Sequence, residues 1–159
     1  MENREIAAIL FNISELLKRD QANVYRVRAY RRAARNLLRA RHSVAMQARQ
    51  GKPLGIPQLG KSLTEKISTL ATTGRLPFYE ELCAQQTPVQ EAILLLPGFG
   101  PKLAERIERD LDAHTPDALL RAAANGSLRK VWGIGPRRAA RIVQGLRQSN
   151  EQVYQQRLF

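Results

Sequence analysis

The sequence has few residues of the kinds that form disulfides or soft metal sites. Its one cysteine, Cys83, cannot form a disulfide within the chain, which favours a reducing, cytoplasmic compartment. The two histidines, His42 and His114, are far apart in sequence, and no zinc-ligand spacing is present. We therefore expect that the protein requires no cofactor.

Long apolar runs are also absent. The longest is AILLL at 92–96, whereas a membrane-spanning helix needs about 20 apolar residues. Charged residues (Glu2, Arg4 and Glu5) precede any apolar run at the amino terminus, which is unlike a secretory signal peptide. We expect neither a leader nor a membrane segment.

Acidic residues are scarce relative to basic ones. There are 26 Lys and Arg against 14 Asp and Glu, a net charge of +12. Residues 1–75 carry 15 of these basic side chains and 5 acidic ones, so most of the excess lies in the first half. A basic field of this kind indicates a polyanionic partner, with nucleic acid the first interpretation and an anionic membrane surface the second.

Strand signals are missing, while helical periodicity runs through most of the chain. An apolar stripe from Ile6 to Leu17 predicts a first helix, and Asn23 is a candidate cap for a second. The second helix has an apolar side (Val27, Tyr30, Ala34, Leu37, Leu38) and a basic side (Arg28, Arg31, Arg32, Arg35, Arg39). A short third helix is expected near 43–50. The predicted fold is all-α.

Three stretches of the chain read almost alike: LGIPQLGKSLTEKI (repeat 1, 54–67), LLLPGFGPKLAERI (repeat 2, 94–107) and RKVWGIGPRRAARI (repeat 3, 129–142). Aligned on Gly60, Gly100 and Gly135, they share an apolar residue one position before the glycine and another four before it. A basic residue follows six positions after the glycine and an isoleucine seven after. The spacing suits one helical unit per repeat, with helices before and after each turn.

Each repeat predicts a helix, a tight glycine turn and a second helix. Gly98 and Gly133 allow a positive φ, and Pro101 and Pro136 suit the first helical position. The backbone N–H groups of such a turn, at a helix N-terminus, form an anion site, for which a nucleic-acid phosphate is the natural ligand. In repeat 1 Gln58 replaces the first glycine, so a strained or different turn is expected.

This pattern resembles the helix-hairpin-helix motif. With NVYRVRAYRRAARNL, IPQLGKSLTEKISTLATTGRLP and GSLRKVWGIGPRRAARIVQGL in the same order, residues 3–147 resemble the amino-terminal part of family X DNA polymerases, the bacterial type especially. The break TTGRLP places a boundary between a lyase-domain-like region at 1–76 and a second helical domain at 77–149. Residues 150–159 are expected to be a frayed tail or a docking segment.

The resemblance implies sequence-independent binding of gapped or nicked double-stranded DNA. The implied DNA contacts are Arg26, Tyr30, Arg31, Gly60, Lys61, Gly98, Gly100, Lys102, Arg106, Gly133, Gly135, Arg137, Arg138 and Arg141. It also implies hairpin carbonyls that hold a monovalent cation, Na⁺ or K⁺, against a phosphate. These carbonyls belong to Leu54, Ile56, Leu59, Leu94, Leu96 and Phe99, with Arg129, Val131 and Ile134 at the matching positions of repeat 3.

The resemblance further implies a lyase that cleaves a 5′-deoxyribose phosphate at an abasic site. Lys66 matches the lysine that forms a Schiff base with the sugar, and Arg26, Tyr30 and Glu65 match positions that line its pocket. The attacking amine must be partly neutral, which nearby cations or burial favour. Two basic positions of the family's phosphate pocket fall on the non-basic Leu54 and Ser62.

The sequence lacks the palm of a polymerase, which holds two metals with three carboxylates. Its one D-x-D, Asp110-Leu111-Asp112, lies at the end of a predicted helix and is interpreted as a solvated helix end. No polymerase activity is expected. Three hypotheses remain: a DNA-binding protein of repair or replication associated with the nucleoid, a lyase that uses Lys66, and an interaction module or accessory subunit of a separate polymerase or nuclease.

Overall fold

A computed structural model of the protein describes residues 1–158. Every regular element in this range is helical and none is a strand, so the predicted all-α fold is confirmed. In chain order the helices are α1 (Asn3–Arg19), α2 (Val24–Arg39), α3 (Val44–Arg49), α4 (Lys61–Thr73), α5 (Pro77–Ala84), α6 (Pro88–Leu94), α7 (Pro101–Leu111), α8 (Pro116–Ala124), a 3-10 turn (Ser127–Lys130) and α9 (Pro136–Leu158).

The described chain forms two compact units. The first is Met1–Leu82 and the second begins at Cys83, so the division lies within α5. The break that the sequence indicated after residue 76 corresponds to the left-handed Gly74, which ends α4, and to Pro77, which opens α5.

In the first unit α1 packs along α2. The predicted stripe of α1 is buried at Ile6, Leu10, Ile13, Leu16 and Leu17. The side chain of Asn23 caps α2 by accepting a hydrogen bond from the Tyr25 N–H. One predicted core residue, Leu38, is 51% exposed. It lies next to Leu37, which is fully buried, and the helical rotation of about 100° per residue carries Leu38 away from the α1 contact.

Polar side chains join the ends of the helices in this unit. The Asn3 side chain donates to the His42 carbonyl (2.7 Å) and accepts from the Val44 N–H (3.0 Å), which ties the start of α1 to the start of α3. The buried Asn12 amide donates to the Tyr79 hydroxyl at 2.9 Å. A buried polar group is stabilising only when it is paired, so these bonds hold α1 in a defined position.

The core of the second unit is formed by apolar side chains of the helices in and around repeats 2 and 3. Thr87 and Thr115 cap α6 and α8 through their side chains, and each is followed by a proline at the first helical position. The helix expected before the turn of repeat 3 is replaced by the 3-10 turn, which Gly126 enters in a left-handed conformation. Fully buried core residues include Ile93, Phe99, Ile107, Leu119 and Ile142.

The last residues of the described chain are helical. Residues 150–158, for which the sequence suggested a frayed tail or a docking segment, continue α9 and are all exposed.

Close packing at Gly145 gives a test of the second unit. A Cβ on this α9 residue would lie 2.4 Å from Cδ2 of Leu96 and 3.4 Å from its Cγ. In Gly145→Ala the gain in helix propensity, up to about 1 kcal/mol, opposes an overpacking cost of about 1–3 kcal/mol at the buried Leu96. We expect the free energy of unfolding to fall by about 1 kcal/mol, measured by urea denaturation.

The matched control is Asn150→Ala, at an exposed position of the same helix. At this exposed position alanine gains helix propensity and meets no buried side chain. The free energy of unfolding should therefore stay equal to that of the wild type or rise slightly. Stabilisation by Gly145→Ala would show that Leu96 moves aside freely.

Candidate nucleic-acid interface

The turns of the three repeats share one backbone conformation. The residue two positions before the aligned glycine is left-handed in each: Gln58 at φ 60°, Gly98 at φ 84° and Gly133 at φ 91°. The strained turn expected for repeat 1 is therefore present, with the same φ region as its glycine counterparts. A non-glycine residue in this region costs about 1–2 kcal/mol, so the surrounding fold imposes the turn on Gln58.

Each turn leads directly into a helix N-terminus. The glycine that ends the turn is extended in repeats 1 and 2 (Gly60 and Gly100), and no side chain caps either helix. The first i to i+4 helical bond is 3.0 Å long in all three repeats: Thr64 N–H to Gly60, Ala104 N–H to Gly100 and Ala139 N–H to Gly135. The N–H groups ahead of these bonds have no partner within their helices, so each turn has the geometry of an anion site.

Basic side chains border these N-termini. Lys61, Lys102, Arg137 and Arg138, all predicted DNA contacts, lie in the first turn of their helices and are exposed. Arg138 also donates to the Gly133 carbonyl of its own turn at 3.0 Å. The exposed charges add to the positive end of each helix dipole, so the turns attract anions through both backbone and side chains.

A different role emerges for Arg106, which lies six positions after the glycine of repeat 2. Its Nη1 donates to the Trp132 carbonyl in the turn of repeat 3 at 3.1 Å. The same guanidinium lies over the Trp132 ring, with Cζ 4.8 Å from the ring centroid. Arg106 therefore reaches from its own repeat to the turn of the next one.

Arg141 occupies the same register of repeat 3 and makes the reciprocal contact. Its Nη2 donates to the Pro97 carbonyl in the turn of repeat 2 at 2.8 Å, and Cζ lies 5.4 Å from the centroid of the Phe99 ring. Pro97 and Trp132 are equivalent positions, three before the aligned glycine. We call the two contacts the crossed arginine pair. They join the two turns, and the phosphate contact predicted for each arginine stays a prediction.

Repeat 1 has Lys66 at this position, and its side chain contacts residues of its own unit instead of the turn of another repeat. Its Nζ donates to the Ser62 hydroxyl at 2.7 Å and lies 5.1 Å from the centroid of the Phe78 ring. Lys66 is half-buried, whereas Lys61 in the same helix is exposed. The structure therefore distinguishes Lys66 from the simple basic residue that a repeat alignment would suggest.

Phe78 assembles the surroundings of Lys66. The ring stacks on Tyr30 with centroids 6.3 Å apart, and Cζ of Arg26 lies 5.2 Å from its centroid. Burial raises the pKa of the Tyr30 hydroxyl, and the neighbouring Arg26 partly offsets that rise, so the phenol is neutral at pH 7. Arg26, Tyr30 and Lys66 were predicted from the sequence and are brought together here around Phe78, which was missed.

Other predicted residues lie apart from this cluster or are engaged elsewhere. Arg31 forms an ion pair of 2.6 Å with Glu15 of α1 and is half-buried. Glu65 is exposed on α4. The basic face of α2 otherwise stays in solvent, since Arg28, Arg32, Arg35 and Arg39 are all exposed.

The carbonyls predicted to hold a cation are not equivalent. The Leu54 carbonyl accepts a hydrogen bond from Nε2 of His42 at 2.7 Å, which fixes the proton on Nε2 in this geometry. Leu54 is buried, and the Ser62 hydroxyl accepts a hydrogen bond from Lys66; neither side chain carries the charge that the family's phosphate pocket has at these positions. Ile56 and Leu96 are buried and Leu59 is half-buried.

The D-x-D lies where the sequence placed it. Asp112 ends α7 in a left-handed conformation, Asp110 pairs with the adjacent Arg109 at 3.1 Å, and both acids are exposed. Among the described residues no group of three or more His, Cys, Asp and Glu side chains has the arrangement of a metal site.

Two aromatic residues of the site, Trp132 and Phe78, were not predicted from the sequence. Trp132 is 78% exposed, and it stands where the other two repeats have Pro57 and Pro97. That break in an otherwise regular position is the signal that identifies it. Phe78 carries no such mark, because its role depends on the folding of α5 against α2 and α4.

Comparison with known proteins agrees with this geometry. Residues 1–76 match the model of a family described as "Helix-hairpin-helix domain", and residues 96–148 match one described as "SAM-like Helix-hairpin-helix tandem". The chain is also 22% identical over 152 residues to the "DNA polymerase/3'-5' exonuclease PolX" of Bacillus subtilis (strain 168). That alignment covers 96% of this chain and 26% of the relative, so the chain spans about a quarter of that protein's length.

The predicted helix-hairpin-helix regions and the similarity to a family X polymerase are confirmed. Regions of this type imply nucleic-acid binding, with DNA as the partner. In the described part of the chain, no helix has both the length and the apolar character to cross a membrane.

The crossed arginine pair predicts a loss of stability when either member is removed. Arg106→Met and Arg141→Met each lose one bond to a carbonyl and one contact with an aromatic face. We expect each to lower the free energy of unfolding by about 1–2 kcal/mol in urea denaturation. Lysine at either position should restore only part of it, because its compact, strongly hydrated ammonium lacks the planar guanidinium that stacks on the ring.

The matched control is Arg137→Met, an exposed residue of the same helix as Arg141. Its stability should stay within about 0.5 kcal/mol of the wild type. Equal effects at 106, 137 and 141 would mean that the crossed contacts do not hold the second unit together.

Proposed function

We propose that this protein binds DNA without reading its sequence, through backbone phosphates held at the three turns. One observation carries this: three helix N-termini follow turns with the same left-handed residue, and no side chain caps α4 or α7. Phosphate contacts from backbone N–H groups position a protein on DNA and carry no base information. The exposed basic residues Lys61, Lys102, Arg137 and Arg138 strengthen the same sites.

We further propose that the protein prefers DNA with a gap, a nick or an end. It would act there in repair or replication at the nucleoid. The similarity to a polymerase and exonuclease supports this, together with the separate basic face of α2, from which four arginines extend. Two compact units, the first with one hairpin and the second with two, suit a DNA whose two arms can change direction at a break. A separate polymerase or nuclease is the partner that such a protein would assist.

Salt dependence tests the phosphate contacts. If about six phosphates are neutralised, the affinity for a gapped duplex should fall about 10³-fold between 50 and 200 mM salt. Lys102→Ala and Arg137→Ala should each reduce the slope of log affinity against log salt by about 0.9, because each removes one phosphate contact. Fluorescence anisotropy of labelled DNA measures both.

The control is Arg121→Ala, an exposed basic residue of α8 outside the repeats, which should leave the slope unchanged. A wild-type affinity that does not respond to salt would contradict the proposal.

A second function is favoured by the cluster around Lys66. We propose that Lys66 attacks C1′ of an abasic 5′-deoxyribose phosphate, with loss of water to form an iminium. Loss of a C2′ proton then breaks the C3′–O bond and releases the DNA 5′-phosphate, and hydrolysis restores the amine. The half-buried Lys66 beside Phe78, with Arg26 and Tyr30 on the same ring, supports this assignment.

Borohydride trapping tests the lyase. With a 5′-abasic gapped duplex, reduction of the iminium should give a covalent protein–DNA adduct in the wild type and in Lys61→Ala, and none in Lys66→Ala or Lys66→Arg. The arginine variant keeps the positive charge and removes the primary amine. An adduct that persists in Lys66→Ala would assign the chemistry to another amine, and no adduct in the wild type would leave binding without catalysis.

A monovalent cation at the turns is a further proposal. The carbonyls of Ile56, Leu59, Leu94, Leu96 and Phe99 would hold Na⁺ or K⁺, which would bridge to a DNA phosphate. Carbonyl oxygens suit such hard cations. Leu54 contributes less than the resemblance implies, since its carbonyl is bonded to His42.

A further inference from the structure

Trp132 is the most exposed large apolar side chain of the described residues, at 78%. It is also the one tryptophan of the chain. An exposed indole makes no contribution to a core, and a single exposed apolar residue is common on protein surfaces. Trp132 differs from such residues in two ways: Arg106 restrains its ring, and it lies close to the N-terminus of α9.

The ring is held in one orientation by Arg106. The guanidinium lies 4.8 Å from the ring centroid, and its Nη1 bonds the carbonyl of the same tryptophan. Because one arginine contacts both the main chain and the ring of Trp132, the indole loses little further freedom when it binds a ligand. A restrained aromatic plane is a stronger binding element than a mobile one.

The indole lies beside an anion site. Pro136, the first residue of α9, is four positions after Trp132, so the Cα atoms of the two are at most about 14 Å apart. The left-handed Gly133 between them shortens that span. Stacked nucleotides rise about 3.4 Å each, so a strand whose phosphate reaches the α9 N-terminus passes the indole within a few nucleotides.

The surrounding charge favours nucleic acid over an apolar protein surface as the ligand. Arg129 and Lys130 precede Trp132, Arg137 and Arg138 follow it, and all four are exposed. Aromatic side chains set in basic surroundings stack on bases regardless of sequence, because every base has a π-face.

We propose that Trp132 stacks on a nucleobase whose face is uncovered, at the edge of a gap, at a strand end or in a single strand. This inference rests on the proposed function and adds a source of selectivity to it. In continuous duplex both faces of each base are covered by neighbours, so the indole has no base to stack on. The turns bind phosphates in either DNA, and Trp132 discriminates between them.

The experiment uses the full chain and its own tryptophan as the reporter. The probes are a duplex with a short gap, the same duplex without a gap, and the single strand. On addition of gapped duplex or single strand, the indole emission should be quenched by stacking, and continuous duplex should bind without that change.

Trp132→Pro is the sharpest variant. Proline stands at this position in repeats 1 and 2, and the Pro97 carbonyl of repeat 2 accepts a bond from Arg141 just as Trp132 does from Arg106. Val131 already has the extended backbone, φ −78° and ψ 126°, that a residue before proline requires. Removal of the ring should lower affinity for gapped duplex about tenfold or more, with little change for continuous duplex.

Trp132→Phe keeps a smaller aromatic plane and should lose less. Thermal unfolding of both variants verifies that the second unit is intact. If the wild-type ratio of gapped to continuous affinity survives in Trp132→Pro, the stacking role is overturned. It is also overturned if continuous duplex quenches the emission equally. In both cases salt-dependent DNA binding by the wild type leaves the proposed function standing, whereas absence of that binding contradicts the proposed function itself.

Discussion

The left-handed residue in the turn is the constraint on which the three repeats depend. It lets the chain reverse within a few residues and enter the next helix, and no side chain caps the N-termini of α4 and α7. Two repeats meet the constraint with Gly98 and Gly133, and the first meets it with Gln58 at φ 60°. Gln58 takes the same φ region without the freedom of glycine, so the surrounding fold imposes the turn in repeat 1. The energy of about 1–2 kcal/mol stored there is small beside the burial of the flanking helices.

Because the turns are alike, residues at the same position of each repeat lie at equivalent places on their helices. The contacts that their side chains make depend on which elements pack against that helix. In the second unit each of two repeats faces the other. Arg106 and Arg141 therefore cross between the two turns and bond equivalent carbonyls. The first unit contains a single repeat. Lys66, in the same register, turns to Ser62 and to the ring of Phe78 instead. The basic residue six positions after the aligned glycine thus joins two turns in the second unit and is a half-buried amine in the first.

Features that depend on neighbouring residues were predictable. The all-helical class, the Asn23 cap, the prolines that open α7 and α9, the turn geometry and the solvated end of α7 all follow from interactions within a few residues. The errors lie where helices meet. Leu38 was predicted on the apolar side of α2, yet it is 51% exposed because the helix turns it away from α1. The helix expected before the third turn is a 3-10 turn that follows the left-handed Gly126.

By itself the sequence determined that three similar turns precede three helix N-termini, and that the chain carries an excess of positive charge. Periodicity, glycine, proline and charge all act locally, so a linear sequence contains them. The tertiary structure alone decided which basic side chains bond the turn of another repeat. Lys102 and Arg137 are exposed in the first turns of their own helices, whereas the half-buried Arg106 and the exposed Arg141 bond carbonyls 26 and 44 residues away along the chain. Contacts at that separation depend on how the helices pack, and no spacing within one repeat encodes them.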